Sequence, residues 1–147
     1  MSQELIAANY PKVGPYSPEL IESAGNALIE LVRFLNYATL GEHRRDCLPY
    51  ASHGYRLTGS LRAAAELQQQ LHNHLARWCY ELAADPVLGH DEHHGDELNH
   101  IVAMDNAEEA AEAFRDAVGH AAALTAALEK AHAALSPLYH TTDHERP

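Results

Sequence analysis

From Ala107 to Leu138 small and apolar residues return at alternating steps of three and four: Ala107, Ala110, Phe114, Ala117, Ala121, Leu124, Leu128, Ala131, Leu135 and Leu138. A strand cannot carry that period, because its side chains alternate faces every residue. Sustained over more than four heptads, the pattern demands a long helix with one apolar stripe. A mean step near 3.5 residues favours shallow, left-handed crossings of the coiled-coil kind. Asp105-Asn106-Ala107-Glu108 resembles a capping box, and Ser136-Pro137 ends or kinks the helix before the last residues, so the pattern predicts a helix over 105–136.

Two further helices are predicted on the same grounds. Ser17-Pro18-Glu19 supplies an N-cap, a proline at the first helical position and an acid in the first turn. Ile21, Ala24, Leu28, Leu31, Leu35 and Ala38 then form one face of a helix predicted over 18–40. A third helix is predicted over 58–84, with Leu57, Leu61, Ala64, Gln68, Leu71, Leu75, Trp78 and Leu82 as its packed stripe. Gln68 is the one polar member and is expected to fix register; Asp85-Pro86 stops the helix. Residues 1–16 read as an arm with a short helical turn around Glu4 to Ala8, and 139–147 as a polar, frayed tail.

The fold class is therefore all-α: an up-down three-helix bundle over 17–138 with coiled-coil-like Ala/Leu seams. Alanine occurs 26 times and leucine 19 times in 147 residues, and an alanine seam buries little area at about 25 cal/mol per Å². Self-association, each chain contributing a helix or a hairpin, is the expected way to complete the core.

One domain suits this length. No apolar run is long enough to span a bilayer, and Met1-Ser2-Gln3-Glu4 has no basic region leading into an apolar one, so a cytoplasmic protein without a membrane partner is expected. Cys47 and Cys79 fit neither a disulfide framework nor a CxxC site and read as reduced thiols.

The net charge of −11 is unevenly spread. Residues 1–80 are neutral, whereas residues 81–116 carry eleven acids against Arg115 alone. In an up-down bundle that block forms one acidic pole. His43, Arg44, Arg45 and Arg56 mark the other, with Arg62 close by. Such poles suit a basic partner or head-to-tail pairing with a neighbour, and the sign disfavours nucleic acid.

Two constellations stand out. His90, His93, His94 and His100 lie in an acidic stretch in which His90/His94 and His93/Glu97 are four apart. That spacing and donor set suit zinc, nickel or iron, although Gly89 and Gly95 interrupt a regular helix there. The connection from His43 to Arg56 mixes Arg44, Arg45, Tyr50, Tyr55 and Arg56, residue types enriched at protein-binding surfaces. Tyr50 and Tyr55 equally suit a cap on the end of the bundle core. Neither a glycine-rich phosphate loop nor a nucleophile elbow nor HExxH occurs, and the single Glu-x-x-His pair, Glu129/His132, falls short of a di-iron set. No enzymatic activity is expected, and no cofactor beyond a metal at the histidine stretch.

The run from Leu57 to Pro86, ending Trp78-Cys79-Tyr80-Glu81-Leu82-Ala83-Ala84-Asp85-Pro86, together with the alanine-seamed last helix, resembles an uncharacterised group of small all-helical proteins of actinobacterial type. That resemblance implies helices and no activity. Secreted helical hairpins with a Trp-x-Gly turn are similar in helix content, but here Trp78 is followed by Cys79-Tyr80. The sequence thus points to a non-enzymatic module that binds itself or a protein partner through its charged ends, with metal binding at the histidine stretch as the alternative.

Overall fold

Ser17 opens the first long helix as its residue type requires: its Oγ accepts from the Leu20 N–H at 3.1 Å, and Pro18 stands at the first helical position. The computed structural model describes residues 3–140 and, among them, the side chains from residue 6 onward. The chain is all-α. Its three long helices are α2 (Pro18–Ala38), α4 (Ala51–Ala83) and α5 (Asn99–Leu135), and no strand occurs among the described residues. Most of the expected tail, residues 141–147, lies outside the described part.

The chain divides into two compact units, 1–49 and 50–147, inside the stretch 17–138 that the sequence pattern assigns to one bundle. The first unit holds α1 (Gln3–Asn9), α2 (Pro18–Ala38) and α3 (His43–Cys47). The Tyr10 hydroxyl reaches Ser23 Oγ at 3.1 Å and donates to the Ser23 carbonyl at 3.3 Å, tying the end of the arm to α2. Thr39 closes α2 by donating from Oγ1 to the Leu35 carbonyl at 2.8 Å. No residue of α2 is buried, and Ile21 and Phe34 stand 72% and 66% exposed.

The second unit is an antiparallel hairpin of α4 (Ala51–Ala83) and α5 (Asn99–Leu135), joined by a loop with one 3-10 turn (Asp91–His93). Pairs across it run in opposite senses. Tyr55 stacks on His132 with centroids 3.9 Å apart, Gln69 Nε2 donates to Thr125 Oγ1 at 3.1 Å, and His72 stacks on Phe114 at 6.1 Å.

Both helices begin earlier than their local signals suggest. α4 starts at Ala51, seven residues before the expected 58, and passes through Gly54 and Gly59. Thr58 is not a cap: its Oγ1 donates back to the Gly54 carbonyl at 2.8 Å, one turn earlier. Gly59 has a packing reason, since a Cβ there would lie 3.1 Å from His132 Nε2. Packing therefore outweighs the roughly 1 kcal/mol that each glycine costs a helix. α5 starts at Asn99 rather than 105, because Ile101 to Met104 continue the helix and Ala103 is buried. The Asp105 capping pattern sits inside the helix. Asp96 organises the real start by accepting from the Leu98 N–H at 3.1 Å. That bond and its contact with His93 hold the Asp96 carboxyl below its ordinary range.

The packed seam of α4 corrects the sequence expectation by one residue. It runs Tyr55, Thr58, Arg62, Ala65, Gln69, His72, Ala76, Cys79 and Ala83, all buried or half-buried. Facing it on α5 are Ala107, Ala111, Phe114, Val118, Ala121, Thr125, Leu128, His132 and Leu135. The expected stripe, Leu57 to Leu82, has identical spacing but lies one position before the seam. Gln69, not Gln68, makes the polar bond across it. The buried residues are all small: Ala65, Ala76, Cys79, Ala83, Ala103, Ala111 and Ala121. Small side chains on α4 let the two backbones approach closely and leave its leucines beside the contact, while α5 contributes Phe114, Leu128 and Leu135 to it.

Candidate functional site

Each helix of the hairpin has two flanks beside the seam, one position before it and one position after. The after-seam flanks share a face, because Tyr80 and Arg115, each one residue past a seam position, meet there: the guanidinium lies 4.9 Å from the centre of the Tyr80 ring. The Tyr80 hydroxyl also donates to Glu112 Oε1, which accepts from Arg115 at 3.2 Å. The carboxylate acceptor holds the phenol proton and pushes the Tyr80 pKa up. Arg56, Glu66, Arg77, Glu108 and Glu129 occupy further after-seam positions of this charged face.

The before-seam flanks share the opposite face. On α4 they present Leu57, Leu61, Ala64, Gln68, Leu71, Leu75, Trp78 and Leu82; on α5, Ala110, Ala113, Ala117, His120, Leu124, Ala127 and Ala131. No lysine, arginine, aspartate or glutamate interrupts either row. Leu71 is 49%, Trp78 51% and Leu124 48% exposed, while Leu57, Leu75 and Leu82 are half-buried. A strip of leucine, alanine and one tryptophan, interrupted only by Gln68 and His120, is a surface of the kind found at protein interfaces.

The surface expected from sequence is distributed differently. Arg44 and Arg45 lie exposed on α3 in the first unit, whereas Tyr50, Tyr55 and Arg56 belong to the start of α4 in the second. Tyr50 stacks on His53 and meets the edge of His140, both at 5.7 Å, and Tyr55 is half-buried on His132. The two tyrosines cap the open end of the hairpin with histidines, and Arg56 is exposed beside them. His53 Nδ1 and His72 Nδ1 are buried without a hydrogen-bond partner among the described residues.

Local bonding engages one ring nitrogen on three of the four candidate metal ligands. His90 Nδ1 accepts from the Glu92 N–H at 3.2 Å and caps the 3-10 turn. His93 Nδ1 pairs with Asp96 Oδ2 at 3.3 Å, and His100 Nδ1 with the Leu88 carbonyl at 3.1 Å. His94 is exposed. The His90 and His93 rings are 5.4 Å apart, yet among the described residues no group of three or more His, Cys, Asp or Glu side chains is gathered to hold a metal. Cys47 is exposed and Cys79 buried, both free.

No helix among the described residues is long and apolar enough to cross a membrane. No family model matches the chain, no curated protein matches its sequence, and no solved structure matches its fold.

Proposed function

We propose that this chain is a non-enzymatic helical interaction module that works by burying the leucine flank of its hairpin against a protein partner. The observation that carries this reading is the contrast across one pair of helices. The face with Tyr80 and Arg115 is charged, and the face with Leu71, Trp78 and Leu124 carries no charge along its length. Burying a leucine or a phenylalanine is worth roughly 1.5–3 kcal/mol, and the seven residues buried among those described are all alanine or cysteine. The charged ends and the Arg44/Arg45 pair then serve orientation and encounter rate rather than affinity.

Trp78 is the single tryptophan and reports directly on this surface. At a dilution where the full chain is monomeric by mass, iodide should quench Trp78 emission as readily as it quenches a half-exposed indole. A shielded Trp78 in a proven monomer would mean that the chain covers its own flank, which would end the interaction reading.

A further inference from the structure

Resting on that reading, we propose that the partner on the leucine flank is a second copy of this chain, laid antiparallel, so that two hairpins form a four-helix core. The stripe on α4 is self-complementary about its middle. Folding it back on itself between residues 69 and 70 sets Gln68 against Leu71, Ala64 against Leu75 and Leu61 against Trp78. The alanine thus faces a leucine, and the largest side chain faces a smaller one, as interdigitating layers require. A two-fold interface uses the same patch on both subunits, which is what a single uncharged strip offers.

Charge decides the direction. The loop end of each hairpin, residues 81–116, carries eleven acids and one arginine. A parallel pair would place two such ends side by side, and like charges in juxtaposition oppose docking. An antiparallel pair instead sets each acidic loop beside the open end of its neighbour, where Arg56, Arg62 and Lys130 outnumber Glu66 and Glu129. The flank itself has no charge with which to select a charged partner, so orientation falls to these ends.

The test uses the full chain. Sedimentation should give twice 16.2 kDa at micromolar concentration. Leu71→Glu, and independently Leu61→Glu, should weaken self-association at least 100-fold while the helical circular dichroism is unchanged. Direction is read by spin labels on Ala84→Cys in a Cys47→Ser background, where Cys79 stays buried. Twenty-nine residues of rise separate the two labels in the antiparallel pair, about 43 Å at 1.5 Å per residue. A parallel pair would hold them within about 20 Å, since packed helix axes lie 8–10 Å apart. A short distance, or a dimer that survives both glutamates, overturns the proposal. A monomer whose Trp78 is freely quenched also overturns it but leaves the flank as a surface for another protein; a monomer with shielded Trp78 overturns both readings.

Discussion

The two stripes of α4 have the same spacing and opposite fates. Thr58, Arg62, Ala65, Gln69, His72, Ala76, Cys79 and Ala83 are enclosed against α5, although half of them are polar or charged. One position earlier, the stripe rich in leucine flanks the seam and stays half open. Side-chain size separates them. Alanine and cysteine at the contact allow close backbone approach, and Gln69 bonds across it to Thr125, whereas His72 Nδ1 finds no partner among the described residues. Apolar periodicity says that a face is buried somewhere; it does not say against what. In this hairpin the alanine-rich stripe packs the two helices together, and the leucine-rich one is the surface we propose for assembly.

That contrast is broken most severely from the leucine side. Leu71→Glu should weaken self-association at least 100-fold, close to 2.8 kcal/mol, whereas Gln70→Glu, on the other flank, should change it less than twofold; sedimentation of the two variants compares them directly. From the seam side, Ala111 is fully enclosed, so Ala111→Leu should overpack the hairpin and cost about 1–3 kcal/mol in urea unfolding. Thr125→Val should cost about 1 kcal/mol by leaving Gln69 without its acceptor.

Smaller effects come from groups outside both stripes. The Asp96 carboxyl lies below its ordinary range because it accepts from the Leu98 N–H and then from His93. A lowered folded-state pKa gives stability that is present above the ordinary carboxylate range and is lost as pH falls through the lowered value. Asp96→Asn should therefore lose less stability than the parent between about pH 5 and pH 3, the range in which an aspartate titrates. Chelator should leave the melting temperature of either protein unchanged, because among the described residues no three His, Cys, Asp or Glu side chains are gathered to hold a metal.

Much of the fold is legible in the residues. The all-helical class comes from spacing, and the Ser17 cap and the stop before Pro86 sit where their chemistry places them. The starts of α4 and α5 are not legible. Gly54, Gly59 and the Asp105 pattern are local signals of a boundary, and tertiary packing at His132 and Ala103 overrides them. The leucine flank is visible in the sequence but reads there as core, since a spacing rule cannot separate two stripes one residue apart. The useful clue is the lack of any charge in the leucine stripe, while the position after the seam holds Glu66 and Tyr80. The histidine stretch stands out by composition, and among the described residues its side chains are not gathered into a group of three or more.

Hydroxyl-radical footprinting over a concentration series tests the central claim most directly, because both flanks are read in one sample. As concentration rises, protection should appear at Leu71, Trp78 and Leu124 and leave Tyr80 unchanged. Protection at Tyr80 without protection at Trp78, or an unchanged leucine flank at every concentration, would contradict the account.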